Sequence, residues 1–146
     1  MRSFILKFIW GLIFISCSSG EFVCKDLTYD SKLFTTTYKN KLYTGSCESF
    51  HENGTLKSTQ AYQNGKDHGA WFFYYPNGTV QTSGQFNMGK RIGTWNYFYE
   101  NGNLKQRSKY RNGRKDDVWF NLSQAGDTLW KRKFVNDILF YNLPTK

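Results

Sequence analysis

The sequence predicts an all-β fold: a single-layer antiparallel meander of 24-residue β-hairpins, preceded by a cleavable apolar signal helix. Three observations carry this expectation. Glycines and aromatic rings recur in columns 24 residues apart, a period that marks an array of supersecondary units. Aromatic residues make up 19% of the 146, a share that argues against disorder and suits pleated strands. No apolar run after residue 16 approaches the roughly 20 residues of a membrane helix, which excludes a polytopic membrane protein.

The first element is the signal. Arg2 and Lys7 give a basic start, and Phe8 to Ile15 form an apolar stretch of signal-peptide rather than membrane-span length. The segment Phe14-Ile15-Ser16-Cys17 resembles the lipobox of a bacterial lipoprotein signal. That resemblance implies cleavage before Cys17 and a lipid attached to it. Phe14 and Ile15 depart from the usual residues, and an ordinary secretory signal is the alternative. Either way the mature chain is expected outside the cytoplasm, in a bacterial cell envelope, tethered to a membrane if Cys17 is acylated. An acylated Cys17 would leave Cys24 and Cys47 either to pair in an oxidising compartment or to remain as two unrelated buried thiols.

The repeats follow. Gly45, Gly69 and Gly93 are one column, continued by Asp117; Gly54, Gly78, Gly102 and Gly126 are another. Tyr62, Phe86, Tyr110 and Phe134 form a ring column, and Trp71, Trp95 and Trp119 a second, with Cys47 one unit earlier. Within a unit, an aromatic strand such as Gly69 to Tyr75 runs into Pro76-Asn77-Gly78, which is hairpin chemistry. A second strand follows and closes at Gly89. The expected organisation is a signal at 1–16, a tether with partial first strands at 17–37, and a repeat domain at 38–140. Its units lie near 45–68, 69–92, 93–116 and 117–140. The aromatic columns are expected to be mainly structural, since such hairpins bury an apolar face only against their neighbours.

Gly89 to Lys105, with Gly93-Thr-Trp95-Asn-Tyr97-Phe-Tyr-Glu-Asn101-Gly102-Asn-Leu104-Lys105, resembles the variant MORN repeat. Gly65 to Val80 is similar to it as well. The resemblance implies a non-catalytic scaffold. Bacterial proteins of this kind include a YwqK-like, antitoxin-type branch, which would make the partner a toxin. Cys47 in place of Trp, and Ala125-Gly126 in place of Asn-Gly, depart from the pattern.

The turn decides which side chains share a face. A two-residue Asn77-Gly78 turn would set Trp71 and Phe73 on the side of Gly84 and Thr82. A three-residue Pro76-Asn77-Gly78 loop would set them beside Ser83 and Gln81, and the proline favours this reading. In the next unit, the three-residue loop would place Trp95, Tyr97 and Tyr99 on the same face as Lys105, Arg107 and Lys109.

Catalytic and metal-binding patterns are sparse. His51 and His68 stand apart from any ligand spacing, and the three cysteines include no CxxC. Asp116-Asp117 reads as a solvated turn, because neighbours on a strand point to opposite faces. No enzyme, cofactor or metal is expected. Asn53-Gly-Thr and Asn77-Gly-Thr match the glycosylation sequon but read better as turns.

Charge is uneven. Of the formal +9, residues Lys90 to Lys133 carry eleven basic and four acidic side chains. Lys105, Arg107 and Lys109 alternate along one strand, with Lys131 and Lys133 one repeat beyond Arg107 and Lys109. Strands two apart lie about 10 Å from each other, so these five residues form a stripe. It is expected either to meet an anionic partner, such as an envelope protein, glycan or lipid headgroup, or to keep the sheet solvated. Nucleic acid is not expected, because the signal sends the chain away from it.

Overall fold

A computed structural model describes residues 23–144. The signal segment, Cys17 and the adjoining start of the tether lie outside the described residues. Three strands, β1 (Thr28–Asp30), β2 (Thr35–Tyr38) and β3 (Lys41–Leu42), form a small antiparallel sheet. Eleven more form the main sheet: β4 (Gly45–Phe50), β5 (Leu56–Gln63), β6 (Lys66–Asp67), β7 (Gly69–Tyr74), β8 (Val80–Asn87), β9 (Lys90–Phe98), β10 (Leu104–Arg111), β11 (Arg114–Lys115), β12 (Asp117–Leu122), β13 (Thr128–Val135) and β14 (Ile138–Leu143). Its order from one edge is β4-β5-β7-β8-β9-β10-β12-β13-β14, with β6 and β11 paired to β5 and β10. The chain is the expected antiparallel meander.

Two kinds of turn alternate, and each has a local cause. At one end of the sheet sit two-residue turns such as Asn64-Gly65, Met88-Gly89 and Asn112-Gly113, with both central residues at positive φ. This is the turn whose twist matches the flanking strands. At the other end, the Gly78 N–H donates to the Tyr75 carbonyl (2.9 Å) and the Tyr75 N–H to the Thr79 carbonyl (2.8 Å). Gly78, at φ 84°, ends a three-residue loop in the left-handed region. Gly54, Gly102 and Gly126 repeat the pattern, so the last unit keeps its turn although Ala125 replaces asparagine.

Successive units are laced together through these turns. The Asn53 and Asn77 amides donate to the carbonyls of Pro76 and Glu100 in the next unit. The Tyr75 and Tyr99 hydroxyls donate to the carbonyls of Phe98 and Leu122, and His51 Nε2 sits 2.9 Å from the Tyr74 carbonyl. His51 therefore occupies the tyrosine column. At the opposite end, the Gly65, Gly89 and Gly113 N–H groups donate to the carbonyls of Tyr43, Asp67 and Arg91.

Loop length and strand register are set separately in this sheet. The loop has three residues, yet a second bulge between Phe73 and Tyr74 resets the pairing by one. Trp71 then faces Gly84 and Phe73 faces Thr82. The face assignment expected from the three-residue loop is corrected by this extra residue, at Gln81.

The two edges of the main sheet differ. At β4, Cys47 is joined to Cys24 by a disulfide, and Val23 bridges to Glu48. The small sheet is tied on by the Thr36 N–H to the Gly65 carbonyl (2.7 Å) and the Tyr43 N–H to the Thr36 carbonyl (3.0 Å). At β14 the edge strand carries Ile138 and Phe140, 70% and 69% exposed.

Candidate functional site

The register puts the two ring columns on one face, where they interleave into a single ladder. Ring centroids run Tyr43–Tyr62 5.8 Å, Tyr62–Trp71 5.5 Å, Trp71–Phe86 4.9 Å, Phe86–Trp95 5.0 Å, Trp95–Tyr110 6.4 Å, Tyr110–Trp119 5.0 Å and Trp119–Phe134 5.2 Å. Most contacts are edge-to-face, the arrangement that the ring quadrupole favours. Trp95 at the centre is 2% exposed. Its indole lies so close to Gly84 that a Cβ there would fall 2.2 Å from the ring. Trp71 and Trp119 instead donate their indole N–H to the carbonyls of Ala61 and Lys109 (2.9 Å each). Cys47 takes the tryptophan place in the first unit, and its disulfide fills that end of the buried face.

Four of the five stripe residues, Arg107, Lys109, Lys131 and Lys133, lie on the other face. Arg107 pairs across the sheet with Phe120, and Phe120 with Lys131. Lys133 lies opposite Val118, and Lys109 opposite Thr94. Trp95 pairs with Ser108 and Tyr97 with Gln106, on the ring face. The expectation that Trp95 and Tyr97 share the face of Arg107 and Lys109 is therefore corrected. The cause is the bulge between Leu104 and Gln106, which leaves Lys105 as the extra residue. Lys105 thus stands outside the strict alternation, with its ammonium 5.4 Å from the Tyr99 ring centre.

The charges are also not equivalent. Asp117 takes the place held by glycine in earlier units and stands at φ 62°. Its carboxylate accepts from Lys109 (2.7 Å) and Lys133 (2.8 Å). The hydrogen bonds from Lys109 and then Lys133 hold that carboxyl well below the usual range, and the Asp117 bond raises the Lys133 ammonium. Asp117 stays solvent-accessible, and the double bridge gives that solvated position two lysine partners. Arg107 Nε donates to Asn96 Oδ1 (3.1 Å), and its guanidinium lies 5.5 Å from the Phe120 ring centre. Lys131 rims a shallow hollow of about 380 Å³ lined by Val118, Phe120, Leu122 and Thr128. The three ion pairs among the described residues engage Lys109, Lys133 and Arg111, so Arg107 and Lys131 take part in none of them.

Asp117 was visible in the sequence as the member that breaks a glycine column, and its role needed the register. Asp67 was missed in the same way, although it breaks the column of Arg91 and Lys115.

These features define a class: an open-sheet repeat protein whose hairpins stack rings on one face and present polar and basic side chains on the other. Residues 43–64, 67–88 and 91–112 match the MORN repeat variant. Three consecutive stretches of the chain thus match the repeat variant, and the hairpin of β12 and β13 continues their pairing beyond the matched residues. No curated protein matches the chain.

Proposed function

We propose that the chain is a non-catalytic, envelope-anchored scaffold that binds an anionic partner through the face bearing Arg107, Phe120 and Lys131. The observation that carries this reading is the cross-strand row of those three residues, two cations flanking a ring on adjacent strands. A guanidinium over a ring beside a second cation suits carboxylate, phosphate or sulfate groups carried on a partly apolar body. The rings of the opposite face pack on one another, so the fold does not require this row. The Cys24–Cys47 disulfide fits an oxidising compartment, in keeping with an exported chain tethered at Cys17. Among the described residues no helix is long and apolar enough to cross a membrane; what supports a lipid anchor is the resemblance of the segment ending at Cys17 to a lipobox.

Replacing Lys105, Arg107, Lys109, Lys131 and Lys133 together by glutamine tests the reading. Wild type should cross-link to a partner in intact cells and sediment with anionic vesicles or acidic glycan in a salt-dependent way. The variant should lose at least tenfold in both, and unchanged binding would contradict the proposal. Membership of the antitoxin-type branch would make the cross-linked partner a toxic protein, which mass spectrometry of the captured species reads directly. For the anchor, Cys17→Ala should either accumulate unprocessed precursor, held at the membrane by its apolar signal, or be released from the membrane fraction. A processed variant that stays membrane-bound with no precursor accumulating would contradict the lipid anchor.

A further inference from the structure

The repeat allows one unit to be compared with the next at the same position. Residues 67, 91 and 115 are 24 apart, and each pairs across a two-residue turn with a ring of the ladder: Asp67 with Tyr62, Arg91 with Phe86, Lys115 with Tyr110. In the second and third units this position holds a cation that lies over two rings. Arg91 Cζ is 4.5 Å from the Trp95 ring centre and 5.5 Å from that of Tyr110. Lys115 Nζ is 5.1 Å from Trp119 and 5.3 Å from Phe134. The first unit has the rings but not the cation. Among the described residues no cation lies over Trp71, and the residue in the cation's place is an acid.

What stands there is a hollow of about 290 Å³, whose lining includes Tyr29, Thr36, Gln60, Tyr62, Asp67 and Trp71. The neighbouring polar groups are already engaged. The Tyr62 hydroxyl donates to Gln60 Oε1 (2.6 Å), and Gln60 Nε2 donates to Ser58 Oγ (3.0 Å). Asp67 is half-buried and takes part in none of the three ion pairs among the described residues. Burial pushes its carboxyl above the usual range, and burial, with the charge of Asp67 next, pushes the Tyr62 phenol up to about 12. A half-buried carboxylate without a counter-charge is costly, and a ring-lined hollow around one carboxylate is poor for Mg²⁺ or Ca²⁺, which demand several oxygens. Weakly hydrated organic cations suit it, because they gain from ring faces and from the carboxylate at once.

We propose that this hollow binds an organic cation, an ammonium or guanidinium group, held by the Asp67 carboxylate and the faces of Tyr62 and Trp71. The ligand would lie over Trp71 as Arg91 lies over Trp95 and Lys115 over Trp119, with Tyr62 as its second ring where the later cations use Tyr110 and Phe134. The same chemistry is offered by an arginine or lysine side chain of a partner and by a free amine.

The test uses the mature, disulfide-bonded chain and follows the indole N–H resonances on titration with N-acetylarginine amide or with putrescine. Trp71 should shift saturably at millimolar probe while Trp119 stays still. The tighter probe identifies the source, a peptide side chain or a free amine. Asp67→Asn should weaken binding at least tenfold. Asp67→Arg should abolish it while keeping the folded spectrum, because the new side chain closes the site as Arg91 closes the next. A saturable shift that survives unchanged in Asp67→Asn, or no shift with either probe, would overturn the assignment. Binding here is independent of the basic face, so the five-residue glutamine variant should titrate like wild type.

Discussion

In the hairpin β4–β5 the tryptophan place is taken by Cys47, and the cation place after it by Asp67. In the hairpin β9–β10 those places hold Trp95 and Lys115. Both hairpins have the same three-residue loop, the same hydrogen bonds across it and the same bulge after it. The first end is stapled by a disulfide and covered by a small sheet, and it leaves a carboxylate facing a hollow. The later units satisfy their rings with their own cations and present further cations on the reverse face. The difference teaches that the columns build the sheet, while the residues that depart from a column give each end its chemistry.

The largest expected effect breaks the ladder at its centre. Trp95→Ala should destabilise by about 3–5 kcal/mol, as for other large buried aromatics. Phe72→Ala, half-buried on the opposite face, should cost distinctly less. Urea denaturation of the two variants makes the comparison, and equal losses would mean that the faces do not divide core from surface. Next is the staple. Reducing the disulfide, or Cys24→Ser with Cys47→Ser, should cost about 2–4 kcal/mol, read as a lower thermal midpoint that reductant does not lower further in the double variant.

A smaller effect separates packing from backbone conformation. Gly84→Ala drives a methyl into the Trp95 indole and should cost about 1–3 kcal/mol. Gly78→Ala meets open space but keeps a positive φ, so its cost of about 1–2 kcal/mol comes from the left-handed backbone alone. Restoring space with Trp95→Phe should offset the first and not the second. The smallest effect is electrostatic. Asp117→Asn should cost about 0.2–1 kcal/mol, since the bridge is solvent-accessible. The Asp117 carboxyl is held low in the folded chain, so its contribution is present above the unfolded value near about 4. It is lost as pH falls through that value toward the folded one. The gap between wild type and variant should therefore close in acid, and shrink in high salt at neutral pH.

Much of this was legible because a repeat writes the same physics several times. The 24-residue period, both turn positions and the ring columns follow from Gly, Asn and aromatic residues alone. Which rings meet did not follow, because one bulge residue per hairpin, such as Gln81 or Lys105, moves every side chain after it to the other face. Spacing alone therefore placed Trp95 with Arg107 and Lys109, and kept Lys105 in a row that the backbone breaks. Asp117 and Asp67 were readable as interruptions of columns. That one bridges two lysines and the other faces rings without a counter-charge depends on cross-strand neighbours, which a linear pattern does not specify. Cys24 and Cys47 could be counted but not paired until β4 and the turn before β1 were adjacent.

The central claim is that the ring face holds the fold and the opposite face binds the anionic partner, and a charge-matched pair of variants tests it most directly. Arg107→Gln with Lys131→Gln removes two charges from one face, and Arg91→Gln with Lys115→Gln removes two from the other. Thermal unfolding and salt-dependent binding to anionic vesicles are measured for both. The first pair should lose binding and keep its midpoint; the second should keep binding and unfold at lower temperature. Equal loss of binding in the two would show that net charge alone, not the Arg107–Phe120–Lys131 row, attracts the partner, and would contradict the account.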